Sequence, residues 1–173
     1  MRATRPAASR LEDMNAAWSV RRDPNRQLPM PPAPVPPAVD KFLTAPNPAV
    51  IATLREDGSP HTAATWYDWE DGRVLVSMDR SRRRLRHMRR DPRVSLTVID
   101  RDDWYRHITL SGDVVQLRDD DGLADIDRLA HRYLGTPYIT RDSPRVSAWV
   151  RVAAWHGWDA AGARGVTDAS WHD

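Results

Sequence analysis

At 173 residues the chain has the size of one domain and can bury a core without metals or disulfides. It contains no cysteine, which excludes disulfides, thiol nucleophiles and cysteine zinc sites, and a cytoplasmic location is expected. The 26 basic residues, all arginine except Lys41, nearly balance 24 acidic residues, so the net charge of +2 does not by itself indicate a polyanionic partner. No apolar stretch approaches the roughly 20 residues of a membrane span, and no membrane partner is expected.

The composition divides the chain into three parts. Residues 1–38 hold most of the prolines and few apolar anchors, which predicts an extension that is mostly irregular or disordered. Residues 39–158 carry the regular apolar patterns of a folded domain. Residues 159–173 are small and polar, and we expect a flexible tail there.

Apolar alternation and turn signals predict six strands in the folded domain. The strands are predicted at residues 49–54, 61–69, 73–78, 94–100, 104–117 and 146–155. Helices are predicted at residues 39–45, 81–90 and 121–134, and Gly112 is expected to mark a bulge or a bend. Antiparallel strands with peripheral helices favour a mainly β fold of the α+β class, built on a small barrel rather than a doubly wound sheet.

An arginine-rich helix is predicted between the third and fourth strands. Ser81 is placed to cap it, and Asp91-Pro92 should end it at about Arg90. The arginines Arg82 to Arg84 fall in its first turn, where each cation opposes the helix dipole by a few tenths of a kcal/mol. An external anion would relieve this conflict, which favours a phosphate cradle. The alternative is that these arginines form an ordinary solvated helix face.

Other functional classes find little support in the sequence. The six histidines show no metal-binding spacing, so no metal site is predicted, and no Gly-x-Ser-x-Gly, Rossmann or Walker pattern occurs. A nucleic acid could engage the arginine helix, but acidic residues at 100–103 and 119–121 interrupt the positive field. No nucleic-acid partner is therefore expected.

Two strings resemble a known family. ATLREDGSPHTAATWY (52–67) and SMDRSRRRLRHMRRDPRVSLTV (77–98) are similar to segments of the pyridoxamine 5'-phosphate oxidase-like split β-barrel family, especially its branch of F420-dependent oxidoreductases. The resemblance covers residues 50–158. It implies a six-stranded antiparallel split β-barrel of the FMN-binding type, forming a homodimer with sites at the subunit interface. Trp149 and Trp155 of the last strand are expected to present an exposed face to that interface.

The same resemblance implies roles for individual residues, although the alternative for each is an ordinary structural role. The strand after the first hairpin would lie along the cofactor ring, the end of the third strand would reach the phosphate region, and the first turn of the helix would hold the phosphate. Trp104 would approach the ring across the dimer interface. The implied cofactor-binding residues are His61, Ala64, Thr65, Trp66, Ser77, Met78, Arg82, Arg83, Arg84 and Trp104.

The resemblance implies an oxidoreductase that transfers a hydride from reduced F420 to a conjugated small-molecule acceptor. F420 is favoured over FMN by the resemblance and by the number of arginines, which suit its longer anionic tail. The alternatives are an FMN-dependent oxidoreductase of the pyridoxamine-phosphate-oxidase type and a non-catalytic carrier of haem or another cofactor. His61, Tyr67 and His107 are the candidate proton donors.

Overall fold

The computed structural model describes residues 33–159 and 164–166. These ranges contain three helices and eight strands. The helices are α1 (Pro37–Thr44), α2 (Arg83–Arg90) and α3 (Ala124–Leu134). The strands are β1 (Ala49–Leu54), β2 (Pro60–Thr65), β3 (Asp68–Glu70), β4 (Arg73–Asp79), β5 (Arg93–Ile99), β6 (His107–Asp119), β7 (Arg145–Asp159) and β8 (Arg164–Val166).

The strands form one antiparallel sheet in the order β2-β1-β5-β6-β7-β4-β3, with β8 beside β7. The predicted mainly β, α+β class is confirmed. The predicted six-stranded barrel is wrong, because the described chain has eight strands in an open sheet whose edge strands β2 and β3 do not pair with each other. The strand predicted at 61–69 breaks at Trp66, whose carbonyl accepts a hydrogen bond from the Thr65 hydroxyl (2.9 Å), and its halves lie at opposite edges of the sheet.

Strand β4 runs through the centre of the core. Its residues from Val74 to Met78 are all buried, so both faces of the strand are covered. Leu85 and Met88 of α2 pack into the same core from one side, as their spacing predicts. Burial of such side chains contributes about 1.5–3 kcal/mol each. The end of β4 is consequently a rigid support for the polar residues that follow.

Helix α2 begins later than predicted. Arg82 occupies the N-cap position without a side-chain hydrogen bond, so the prediction that Ser81 caps the helix is wrong. The backbone N–H of Ser81 instead donates to Oδ1 of Asp79 (2.7 Å), which uses this residue in the turn after β4. The helix ends at Arg90, as predicted.

The long strands β6 and β7 are bent around each other. The register of their pairing shifts between Ser111 and Gly112, which confirms the predicted bulge. Trp149 and Trp155 are only 8% and 2% exposed, so the prediction that they present an exposed interface face is wrong. Residues 146–150 are all buried, because β7 is covered on both faces along this stretch.

The predicted extension at 1–38 lies almost wholly outside the described residues, and most of the predicted tail at 159–173 does as well. The exception in the tail is Arg164–Val166, whose backbone pairs with Gly157–Asp159. Within the described ranges, no helix is both long and apolar enough to cross a membrane.

Candidate functional site

An open cleft of about 1090 Å³ lies between β2, the end of β4, the start of α2 and one face of α3. Nine of the ten residues implicated in cofactor binding by the sequence line this cleft, although they come from three separate segments. They are His61, Ala64, Thr65, Trp66, Ser77, Met78, Arg82, Arg83 and Arg84. The fold therefore brings the two family-like strings to one place, and their binding role stays a prediction.

The tenth residue, Trp104, is not part of the cleft wall. It lies in the loop before β6, because the strand predicted from residue 104 begins at His107. Its side chain is 70% exposed and its ring packs on that of Tyr105, with centroids 4.4 Å apart.

Two of the three candidate proton donors also lie elsewhere. The Tyr67 side chain is fully buried, and its hydroxyl lies 2.9 and 3.1 Å from the carbonyl oxygens of Leu43 and Ala45. Burial raises the pKa of this phenol further above its ordinary value. Nδ1 of His107 lies 3.0 Å from the carbonyl oxygen of Tyr105. Only His61, among the three, reaches the cleft.

Arg84 carries a positive charge into a poorly solvated position at the end of the cleft that Ser77 and the start of α2 form. Its Nη2 donates to the carbonyl oxygen of Ser77 (3.1 Å), while its Nε is buried without a hydrogen-bond partner. Burial, followed by the positive charges of Arg82 and Arg145, lowers the pKa of Arg84 to about 10. An unpartnered buried N–H on a cation is an unfilled site for an anionic acceptor.

Arg145, at the start of β7, was not found by the sequence reading. Its Nε donates to the Ser77 hydroxyl (3.2 Å), and its guanidinium lies over the ring of Tyr138, 4.9 Å from the centroid. Arg84 and Arg145 thus reach Ser77 from two different elements, one at its carbonyl and one at its hydroxyl. Arg145 follows Ser77 by 68 positions in the sequence, which places it outside any local motif.

This end of the cleft has little compensating negative charge. Among ion pairs between described residues, none involves Arg82, Arg83, Arg84 or Arg145. Asp79 is the acidic residue in the cleft wall, and hydrogen bonds from Ser81, then Ser143, lower its pKa to about 2. The arginines consequently remain in excess, which suits a phosphate group.

Aromatic rings form another wall of the cleft. Trp66 stacks on Tyr133, with centroids 5.5 Å apart and planes inclined by 11°, and Tyr138 meets Trp66 edge-on at 6.4 Å. The Tyr133 hydroxyl donates to the carbonyl oxygen of Asn47 (2.8 Å), which fixes its ring against α1 and β1. Flat aromatic surfaces of this kind suit a planar conjugated ligand.

Helix α3, which supplies Tyr133, is held to the sheet by buried Asp68. Arg132 lies 3.1 Å from Oδ1 of Asp68, and Arg128 bonds Oδ2 of the same carboxylate. Arg128 also reaches Glu70 at 3.2 Å. This network orients α3 over the cleft from a distance.

A histidine pair adjoins the cleft on the side of β1 and α2. The rings of His61 and His87 meet edge-on with centroids 5.3 Å apart, and Nδ1 of His87 lies 3.0 Å from Oγ1 of Thr53. Nδ1 of His61 is buried without a partner. Burial, then His61 and neighbouring arginines, lowers the pKa of His87. No cluster of three possible metal ligands occurs among the residues the structure describes.

Comparisons with known proteins agree with this architecture. The sequence profile of the pyridoxamine 5'-phosphate oxidase family matches residues 35–159. A solved structure described as an F420 reductase is 30% identical, with a TM-score of 0.63 over 70% of this chain and 98% of its own. A conserved hypothetical protein from Mycobacterium tuberculosis is 22% identical, with a TM-score of 0.60 over 80% of this chain and 94% of its own. General Stress Protein 26 from Bacillus anthracis is 17% identical, with a TM-score of 0.54 over 76% and 96%. The last two show the fold alone.

Proposed function

Because the chain belongs to the pyridoxamine 5'-phosphate oxidase family, an oxidoreductase family that binds flavin-type cofactors, we propose that its cleft binds coenzyme F420. The protein would transfer a hydride from reduced F420 to a conjugated small-molecule acceptor. The observation that carries this proposal is the pair Arg84 and Arg145, which meet at Ser77 without a carboxylate partner among the described residues.

The residues of the cleft fit a phosphate-bearing, flat cofactor. The buried Nε of Arg84 lacks an acceptor, and a phosphate oxygen would supply one. Trp66 and Tyr133 present stacked aromatic surface in the same cleft, and Tyr138 lies between this surface and Arg145. A cofactor with an anionic part joined to a conjugated ring can contact both the arginines and the aromatic rings.

The choice of F420 over FMN rests on similarity and on charge. The similar structure with 30% identity is described as an F420 reductase. F420 carries a phosphodiester and an anionic polyglutamate tail, whereas FMN carries one phosphate. Arg83 lines the cleft, and Arg86 and Arg89 are exposed on the same helix, so cations continue beyond the phosphate end. Arg80, by contrast, is paired with Asp119 at 2.8 Å.

The proposed function assigns a role to each group of residues in the cleft. When bound, the deazaflavin ring supplies the hydride. Arg84 and the Ser77 hydroxyl hold the phosphate, and Arg82 adds positive charge. Trp66 and Tyr133 orient the conjugated ligand and exclude water. His61 is the proton donor we favour, because it is the candidate among the three that lines the cleft.

We also propose that the protein is a homodimer whose cleft is completed by the partner. Trp104 is strongly exposed and lies outside the cleft of its own chain. An exposed tryptophan beside another aromatic ring is well suited to a subunit contact. Sedimentation velocity of wild type and Trp104→Ala tests this, and a monomeric wild type contradicts it.

Binding of F420 and FMN to the purified apoprotein tests the cofactor assignment. We expect quenching of tryptophan fluorescence at lower concentrations of F420 than of FMN. Arg84→Ala should lose about 1.5–3 kcal/mol of binding free energy, the range for a hydrogen bond to a charged group. Preference for FMN would move the assignment to a flavin enzyme, binding without turnover of any acceptor would favour a carrier, and binding of neither would refute the cofactor site.

A further inference from the structure

We propose that Arg145 is a phosphate-binding residue of this cleft and that Tyr138 is the positioning residue that aims it. The inference deepens the proposed function, since it assumes that a phosphate-bearing cofactor enters here. It assigns a role to β7 and to the loop before it, which neither family-like string includes.

Arg145 shares with Arg84 three features that favour anion binding. Both guanidiniums contact Ser77, both line the cleft, and neither has a carboxylate partner among the described residues. Asp79 interacts electrostatically with Arg145, but the hydrogen bonds that its carboxylate accepts come from Ser81 and Ser143. Arg145 therefore keeps an unused donor, Nη2, in the wall of the same cleft as Arg84.

Two of the three guanidinium nitrogens of Arg145 have partners in the protein, and the third can bind a phosphate oxygen. Nε of Arg145 is used by the Ser77 hydroxyl, and Nη1 lies 3.4 Å from the hydroxyl of Tyr138. Nη2 has no hydrogen bond among the described residues. Two guanidiniums on either side of one serine can share the oxygens of a single phosphate, which is stronger than one contact alone.

The ring of Tyr138 packs against the guanidinium of Arg145 and holds it in place. The ring lies 4.9 Å from the guanidinium carbon, a cation–π distance. The backbone N–H of Tyr138 donates to Oδ1 of Asp127 (2.9 Å) on α3, so the loop that carries the ring is tied to a packed helix. Arg141 reinforces the tie, since its Nη1 lies 2.5 Å from the same oxygen. Arg145 is thus pre-oriented and loses little freedom when it binds.

Ligand pairs that differ by the phosphate test the proposal without any turnover assay. The pairs are F420 with its phosphate-free ribityl deazaflavin, and FMN with riboflavin. For whichever pair binds, Arg145→Gln should weaken the phosphate-bearing ligand about ten- to hundredfold and leave its phosphate-free counterpart unchanged. Arg145→Lys should recover part of the loss, because it keeps the charge but not the forked geometry. Arg151→Gln, which alters an exposed residue of the same strand, is the matched control and should bind like wild type.

Tyr138 is tested in a double-mutant cycle on the same ligand pairs. Tyr138→Leu should weaken the phosphate-bearing ligand more than its phosphate-free counterpart, since Tyr138 also contacts Trp66 in the aromatic wall, and the phosphate-dependent part of the loss should add little to Arg145→Gln and be rescued largely by Tyr138→Phe, which keeps the ring. Equal losses for both members of a pair, or additive effects in the cycle, would overturn the positioning role. Unchanged phosphate-dependent affinity in Arg145→Gln, with binding by wild type and loss in Arg84→Ala, would overturn this inference and leave the proposed function standing. Failure of wild type to bind either phosphate-bearing cofactor would overturn both.

Discussion

Replacement of Arg84 by methionine should separate stability from binding. In the free protein, burial and the neighbouring positive charges lower its pKa to about 10, which corresponds to about 3 kcal/mol against the charged form at 1.36 kcal/mol per pH unit. The hydrogen bond from Arg84 to the Ser77 carbonyl returns about 1.5–3 kcal/mol. Methionine keeps the buried stem and removes both contributions. Because these two contributions nearly cancel, the free energy of unfolding of Arg84→Met should lie within about 1 kcal/mol of the wild-type value or slightly above it.

Chemical unfolding with and without cofactor provides the assay. At a cofactor concentration one hundred times its Kd, wild type should gain about 2.7 kcal/mol, whereas a variant that binds about a hundredfold more weakly should gain about 0.4 kcal/mol. Ser81→Ala, at an exposed position of the same cleft, controls for general disturbance of the turn. If ligand-free Arg84→Met lost more than about 2 kcal/mol and still gained the full cofactor stabilisation, Arg84 would be a structural residue and the reasoning refuted.

Three further predictions concern the fold around the cleft. Gly112→Ala should cost about 3 kcal/mol, since a Cβ there would come within 2.1 Å of the Arg151 carbonyl oxygen, whereas Gly122→Ala should be nearly silent; urea unfolding compares them, and equal midpoints would contradict the prediction. Asp68→Asn should cost about 3 kcal/mol, because the largely buried Arg132 loses its carboxylate partner and Arg128 keeps only Glu70, and a change within 0.5 kcal/mol would count against it. Folding lowers the pKa of His87, so as the pH falls the unfolded chain binds a proton at this histidine before the folded chain does. The free energy of unfolding should therefore fall as the pH drops below 6.5. His87→Gln should reduce this fall, and parallel pH profiles for the two proteins would argue otherwise.

Local sequence patterns predicted most of the elements but not how the sheet ends. Val74 to Met78 alternate and are flanked by turn residues, so their strand is found from the sequence. The break at Trp66 is invisible to the same reasoning, because apolar residues continue through it and a tertiary contact decides where each half pairs. The Tyr67 side chain, buried against carbonyls of α1, makes that break a fixed corner. Closure of a barrel depends on such corners rather than on strand periodicity.

The site divides in a similar way. The positions from Arg82 to Arg84 carry a local signal, because cations in the first turn of a helix oppose its dipole. Arg145 gives no local signal at all, since an arginine that follows a proline at a strand start is an ordinary surface pattern. Trp104 is predicted by the resemblance alone to act across a dimer interface, and within its own chain it lies outside the cleft.

The position of Arg145 is a consequence of strand register. In the antiparallel pairing of β4 with β7, Asp79 lies opposite Arg145 and Ser77 lies opposite Ser147. Residues two apart on a strand share one face, so this register puts the side chains of Arg145 and Ser77 on the same side of the sheet. A slip of one residue would turn Arg145 to the other face and leave Arg84 as the remaining guanidinium at Ser77. The buried stretch of β7 at 146–150 opposes such a slip, because it would expose the apolar set that packs in the core. The packing of the core and the placement of Arg145 beside Ser77 are therefore fixed by the same register.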